Sequence, residues 1–121
     1  MSYDPIADVI DEPLSVSPEV LAELSEYRAA PKLELLPGVD TAQERVRLSA
    51  LVDTLTDRLI AGAGRNPSKL WVMKQFQATL LQLQDHDTEA REHLGSELER
   101  LMDILGIESS DGLLSFYLGG L

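Results

Sequence analysis

Apolar side chains recur at three- and four-residue steps along most of the chain, the spacing that places them on one face of an α-helix. The longest such stripe is Val46, Leu48, Leu51, Val52, Leu55, Leu59 and Ile60. No segment alternates apolar and polar residues at every second position with β-branched side chains, as a half-buried strand would. The spacing therefore predicts an all-α protein.

Residues that cap helices predict where the first two helices begin. Ser17 precedes Pro18, so a hydroxyl N-cap is followed by proline at the first helical position, and this helix should run to about Ala30. Thr41 and Glu44 have the spacing of a capping box, in which each side chain satisfies the other's backbone donor. A second, longer helix should start there.

Similar signals predict three further helices. Ser68 follows a proline and begins the third, which carries Leu70, Met73, Phe76, Gln77, Leu80 and Leu83 along one side. The fourth starts at Thr88 and ends at Gly106, which is placed for a left-handed C-cap with Ile107 as the apolar contact that often follows. Ser109-Ser110-Asp111 should cap a short last helix, a role much commoner for such a trio than catalysis.

The number and spacing of these segments predict the architecture. A chain of 121 residues fits one domain with one modest core, and short connections favour an antiparallel arrangement. The predicted fold is a compact bundle of four main helices plus a short C-terminal helix, with the helices at roughly 42–61 and 88–105 as its axis. Residues 17–121 form this helical domain, and residues 1–16 form an extended acidic arm. Ile6, Val9, Ile10 and Leu14 would let the arm pack on the bundle as one short helical turn.

Charge is segregated along the chain. Residues 1–27 hold seven acidic residues and no Lys or Arg, residues 28–84 carry a net charge of +3, and residues 85–121 hold nine acidic residues against Arg91 and Arg100. The net charge is −11. Such a field repels nucleic-acid phosphates and anionic membranes and attracts basic proteins, so we expect a basic protein partner rather than nucleic acid or a membrane.

Residue types and sequence patterns that the chain lacks argue against several kinds of functional site and against some cellular locations. The chain contains no cysteine, which rules out disulfides, thiolate metal sites and cysteine nucleophiles. No apolar run approaches the roughly 20 residues that span a bilayer, and the first residues lack the pattern of a signal peptide. We therefore expect a cytoplasmic protein.

Three clusters could carry chemistry, and each has a structural alternative that is more common. His86, Glu89 and His93 could bind zinc or iron if the fourth helix began before His86, but Asp85 and Asp87 favour a capped helix start. The segment from Gly62 to Lys69 could bind an anion on backbone donors; it lacks Walker spacing, so an ordinary interhelical loop is favoured. Trp71, the single tryptophan, fits the core better than an interface.

Two stretches resemble a known family. Asp87-Thr88-Glu89-Ala90-Arg91-Glu92, and the sequence from Leu101 through Gly106 to Leu114, are similar to the C-terminal half of small bacterial proteins catalogued only as a domain of unknown function. The resemblance covers about residues 45–118, with Phe116-Tyr117-Leu118-Gly119 in place of a Trp-Leu-Tyr-Gly type sequence. It implies a helical fold and a bacterial origin, and no activity.

These observations predict a non-enzymatic protein-binding domain without a cofactor. An immunity or inhibitor protein that acts on a basic partner is one concrete form, because acidic inhibitors gain association rate from complementary charge. The predicted partner-binding residues are Asp85, Asp87, Glu89 and Glu92 near the start of the fourth helix, and Asp8, Asp11 and Glu12 in the arm.

Two alternatives stay open at this point. A self-associating structural domain, for example a homodimer, is suggested by Leu118 and Leu121, which we expect to be exposed in the C-terminal tail. A metal-dependent hydrolase using His86, Glu89 and His93 is the weaker alternative.

Overall fold

The computed structural model describes residues 4–30, 42–63, 65, 67–83 and 88–118, with the backbone alone for residues 42–45 and 88–90. A 3-10 helix, Pro5–Asp8, comes first, and five α-helices follow: α1 Pro18–Ala29, α2 Ala42–Gly62, α3 Lys69–Leu81, α4 Thr88–Leu105 and α5 Leu113–Leu118. Within these residues, β-structure is confined to one bridge between Pro13 and Ser68. The predicted all-α fold is confirmed.

Local capping explains where several helices begin and end. The Ser17 hydroxyl accepts the Val20 N–H at 3.2 Å, which confirms the predicted N-cap of α1. The Ser68 hydroxyl accepts the Trp71 N–H at 3.2 Å, so the predicted start of the third helix is capped by Ser68. Each satisfies a backbone donor that the first turn of a helix leaves without an internal partner. The predicted capping box of Thr41 and Glu44 lies outside the residues whose side chains are described.

The helices pack as a bundle around one apolar core. α2 packs against α1, α3 and α4; α4 also contacts α1 and α5; and α5 returns against α3. The largest fully buried side chains are Leu24, Leu48, Leu55, Leu59, Met73, Phe76, Leu80, Leu83, Leu94, Leu98, Leu101 and Leu113. No helix in the described part of the chain is both long enough and apolar enough to cross a membrane.

Some predicted core positions are wrong. Val46 is 69% exposed because, at about 100° per residue, it lies on the opposite side of α2 from the buried side chains of Leu48, Val52 and Leu55. Leu118, which we expected to be exposed, is buried because α5 packs on two helices; Leu121 lies outside the described residues. The self-association alternative therefore loses the support of Leu118.

The described part of the arm, residues 4–16, is attached to the bundle. Its 3-10 helix packs against α3 and α5, with Ile6 and Val9 partly buried on the core, as one predicted helical turn. Leu14 is also partly buried, and its N–H donates to the Pro67 carbonyl at 3.0 Å. Ile10, in contrast to the prediction, is 71% exposed; its side chain faces solvent although its backbone is bound.

Candidate functional site

An open acidic groove lies between the C-terminal half of α4, the turn after it and α5. Its volume is about 270 Å³. The residues that line it are Glu99, Met102, Asp103, Ile107, Glu108, Ser109, Ser110, Leu114 and Ser115. Met102, Ile107 and Leu114 are buried and form an apolar floor, whereas the three acidic residues are exposed at the rim. We call this site the acidic groove.

The turn at Gly106 shapes one side of the acidic groove. Gly106 has a φ of +76°, its N–H donates to the Asp103 carbonyl at 3.3 Å, and the Ile107 N–H donates to the Met102 carbonyl at 2.9 Å. These two bonds form a Schellman motif, which needs a left-handed residue at this position. Because the chain turns here, Ile107 is buried under the groove and Glu108 reaches its rim. The predicted C-cap and apolar contact are confirmed.

The serines of the acidic groove build the start of α5. The Ser110 carbonyl accepts the Leu113 N–H at 3.2 Å, its hydroxyl accepts the Leu114 N–H at 3.3 Å, and the Ser109 hydroxyl accepts the Asp111 N–H at 3.1 Å. This is the capping role that the sequence predicts for the trio. Asp111 differs from this prediction, because its carboxylate binds the Ile10 N–H in the arm and the Lys69 ammonium on α3.

The rim of the acidic groove carries negative charge without compensation from within the described residues. Glu99, Asp103 and Glu108 make no ion pair there, and none of the lining residues is basic. Glu99 and Asp103 are four residues apart on α4, a spacing at which like charges repel and destabilise a helix. The groove can therefore bind a cation whose apolar part packs on the floor.

Glu92, one of the acidic residues predicted from the sequence, lies on the same helix as two of the rim acids. It is exposed on α4, and it precedes Glu99 by seven residues, which places it two turns away on the same face and about 10 Å along the axis. Asp85, Asp87 and the side chain of Glu89 lie outside the described residues. None of the four predicted residues of this helix is among the described residues that line the acidic groove.

The three arm residues predicted to bind a partner are exposed, but two of them also hold the arm in place. The Asp11 carboxylate accepts the Leu70 N–H at 3.0 Å, and this backbone hydrogen bond holds the pKa of Asp11 below its usual value. The Glu12 carbonyl accepts the Lys69 N–H at 2.9 Å. Asp8 ends the 3-10 helix, exposed to solvent. Asp11 therefore has a structural role at the start of α3.

A buried ion pair joins the arm, α3 and the α4–α5 turn. The Lys69 ammonium lies 2.7 Å from Asp111 Oδ2, with 7% and 19% of the two side chains exposed. The same oxygen accepts the Ile10 N–H at 2.8 Å. These two donors, first the Lys69 hydrogen bond, lower the pKa of Asp111. Because Lys69 is committed here, it is not available to bind an anion in the preceding glycine-containing loop.

A second groove, of about 470 Å³, lies between the end of α2 and the first half of α3. It is lined by Arg58, Ala61, Gly62, Arg65, Pro67, Trp71 and Gln75, and we call it the tryptophan groove. A Cβ atom at Gly62 would lie 2.3 Å from Cζ2 of Trp71, so the indole packs directly on the glycine. Trp71 is partly buried against the core, as predicted, and also lines this open surface.

A polar contact is buried between α1 and α4. The Tyr27 hydroxyl donates to the Glu97 carboxylate, and the residues are each 6% exposed. Burial, with the hydrogen bond to Glu97, raises the pKa of Tyr27 far above its ordinary value. The guanidinium of Arg100 lies 5.5 Å from the centre of the Tyr27 ring and 3.7 Å from Glu97. This contact fixes α1 against α4 and leaves the groove acids exposed on the other side of the helix.

The hypothesis of a metal site is not supported by the described residues. His86 and the side chain of Glu89 lie outside them, and His93 is partly buried on α4. Among the described side chains, no three histidine, aspartate or glutamate residues are grouped so that they could bind a metal ion.

Sequence reasoning missed the three rim acids. Glu99 and Asp103 could have been found from their spacing of four residues, which places two like charges on one face of a helix. Glu108 could not, because it joins them only through the turn at Gly106 and the packing of α5.

The comparisons with known proteins identify the family. A family model described as "Domain of unknown function (DUF4844)" matches residues 15–121. The chain belongs to this family. The resemblance to a domain of unknown function is confirmed, and DUF4844 extends further toward the N-terminus than the predicted residues 45–118.

A solved structure shares the fold of this DUF4844 member. The crystal structure of a DUF3571 family protein from Acinetobacter baumannii AYE is similar with a TM-score of 0.70 and 27% sequence identity, covering 83% of this chain and 88% of that chain. No protein of curated function matches the chain. The arm before residue 15 lies outside the DUF4844 match, although the groups that bind it, Lys69 and Asp111, lie inside.

Proposed function

We propose that this protein is a small non-enzymatic binding domain that inhibits a basic protein partner, and that the acidic groove receives a Lys or Arg side chain of that partner. The observation that carries the proposal is the set of three exposed carboxylates, Glu99, Asp103 and Glu108, around an apolar floor with no basic residue in the lining.

The groove suits a long cationic side chain. The methylene stem of Lys or Arg can pack on Met102, Ile107 and Leu114, while its charged head reaches the carboxylates at the rim. A volume of about 270 Å³ is below the range of pockets that take drug-sized ligands or cofactors, roughly 300–1,000 Å³. A single side chain presented by a protein therefore fits better than a free small molecule.

The charge of the whole protein favours the same partner. With a net charge of −11, and with Glu92 on the same face of α4, the surface attracts a basic protein from a distance. Complementary charge of this kind raises the association rate, and salt reduces the gain. An inhibitor needs only this binding, because it blocks its partner's active surface without chemistry of its own.

A pair of charge-reversal variants tests the proposal. Glu99→Lys with Asp103→Lys changes the groove, and the matched control, Glu23→Lys with Glu26→Lys, makes the same change in charge on the exposed side of α1. Tagged protein would capture partners from the native host at low and at high salt, with mass spectrometry as readout. The captured protein's activity would then be measured with each variant added.

We expect wild type and the α1 control to capture one basic protein and to inhibit its activity. The groove variant should neither capture that protein nor inhibit it. Equal capture by both variants would show that the acidic groove is not the binding site. Recovery of the bait alone, sedimenting as a dimer, would contradict the proposal and favour self-association.

A further inference from the structure

The tryptophan groove concentrates positive charge on a protein that is otherwise acidic. Two of its seven lining residues are arginines, and none is acidic. Its lining has no residue in common with that of the acidic groove. A ligand of the tryptophan groove would therefore be independent of the partner proposed for the acidic groove.

Neither arginine of this groove is neutralised by a carboxylate of the described residues. Arg28, by comparison, lies 3.3 Å from Asp53 and 2.8 Å from Asp57. Lys69 and Arg100 also have acidic partners. Arg47, Lys74 and Arg91 likewise make no ion pair within the described region, so what distinguishes Arg58 and Arg65 is that both line one groove.

The guanidinium of Arg58 is held by hydrogen bonds that do not use all of its donors. Its Nε donates to Gln75 Oε1 at 3.1 Å, and its Nη2 donates to the Gln75 carbonyl at 3.3 Å and to the Thr79 hydroxyl at 3.2 Å. These bonds use one edge of the guanidinium and leave Nη1, which carries two N–H donors. A guanidinium that is already oriented loses less side-chain entropy when it binds an anion.

Trp71 gives the groove a rigid apolar wall. Its indole is packed directly against Gly62 at the end of α2, and its backbone lies in the first turn of α3 under the Ser68 cap. Ala61 and Pro67 continue the apolar lining. A flat apolar group can pack against this wall while an acidic group reaches the arginines.

We propose that the tryptophan groove binds a small organic anion with a flat apolar body, an aryl phosphate or aryl carboxylate, through Arg58, Arg65 and Trp71. The volume of about 470 Å³ lies within the range of small-molecule sites. Guanidinium groups match phosphate and carboxylate oxygens in pairs of hydrogen bonds, and the indole supplies the apolar contact.

The single tryptophan provides a direct assay. The indole N–H of Trp71 gives one resonance in a nitrogen–proton correlation spectrum, and it would be followed while phenyl phosphate, benzoate, inorganic phosphate or benzyl alcohol is added. Arg65→Gln removes one guanidinium from the groove. Arg47→Gln, at an exposed position of α2 outside the groove, is the matched control.

The proposal expects phenyl phosphate or benzoate to shift the Trp71 resonance saturably, with dissociation constants of millimolar or less. Inorganic phosphate has the anionic group without the flat apolar body, and benzyl alcohol has the apolar body without the anionic group. Each should bind at least about tenfold more weakly than the aryl anions. Arg65→Gln should weaken binding by about tenfold or more, and Arg47→Gln should leave it unchanged. No saturable shift with either aryl anion, equal binding of benzyl alcohol, or an unchanged affinity in Arg65→Gln would overturn it.

Discussion

Replacing Asp111 with Asn removes the negative charge that Lys69 faces, and we expect it to lower the free energy of unfolding by about 3 kcal/mol. Asp111 has a φ of +54°, a left-handed conformation that Asn tolerates as well as Asp does. The substitution therefore leaves the backbone preference and the side-chain size almost unchanged. What it changes is the charge.

The magnitude follows from the burial of the partner left behind. Removing one member of a buried ion pair costs about 3–5 kcal/mol, because the other charge stays in the interior without compensation. The Lys69 side chain is only 7% exposed, and its ammonium lies 2.7 Å from the oxygen that the variant neutralises. We take the lower end of the range because Asp111 keeps 19% of its surface in water.

Urea unfolding followed by circular dichroism measures the loss. With a slope of about 1.5 kcal/mol per molar urea, a loss of about 3 kcal/mol lowers the midpoint by about 2 M. Lys69→Met and the double variant complete a thermodynamic cycle. Because Lys69→Met removes the cation and keeps an apolar stem, the double variant should be less destabilised than the sum of the two single variants.

Because the pKa of Asp111 is lowered, the stabilisation by the Asp111–Lys69 ion pair depends on pH. Its folded pKa is lower than the unfolded value, so the stabilisation is fully present above about pH 4 and is lost as pH falls through the folded pKa. Asp111→Asn should lack this contribution to acid unfolding. A loss below about 1 kcal/mol for Asp111→Asn, or additive effects in the cycle, would refute the reasoning from burial.

Two further substitutions test contacts that the structure makes specific. Gly62→Ala places a Cβ 2.3 Å from Trp71, so we expect a loss of about 1–3 kcal/mol and an altered Trp71 fluorescence spectrum; unchanged emission and stability would contradict the packing. Tyr27→Phe removes the donor to buried Glu97 and should lower stability by about 1–3 kcal/mol in urea unfolding. Because the folded pKa of Tyr27 is raised, its stabilisation is complete below about pH 10 and declines as pH rises further. Tyr27→Phe should reduce that alkaline decline, and an identical decline in the variant would argue against the buried contact.

Local signals in the sequence predicted the helices well. The Ser17 cap, the Ser68 cap and the Gly106 turn each depend on residues within a few positions, so their hydrogen bonds could be inferred before the fold was known. Burial was harder to predict, because it depends on which neighbour covers a face. Leu118 shows this, because it is buried only through the packing of α5 on other helices. Val46 could have been excluded from the core, because it lies opposite Leu48, Val52 and Leu55 on the helix.

The candidate sites could be predicted only in part for the same reason. Lys69 and Asp111 are 42 residues apart, and Ile10 and Asp111 are 101 apart, so no sequence spacing joins them. The sequence drew attention to the acid-rich entry to α4, whereas the acidic groove lies at the other end of that helix and requires Glu108 to lie beside Glu99. The tryptophan groove likewise needs Gly62 and Trp71, nine positions apart, to meet across a turn.

The arm behaves as a tethered ligand of its own bundle. Its backbone contacts the body at Ile10, Glu12 and Leu14, so no single bond determines whether it stays attached. Because the chain connects the arm directly to α1, rebinding occurs within one molecule, at an effective concentration that can reach the millimolar range. If one contact is weakened, the remaining contacts keep the arm bound. If the chain were cut before Ser17, the same contacts would hold two separate molecules, and the complex would dissociate on dilution.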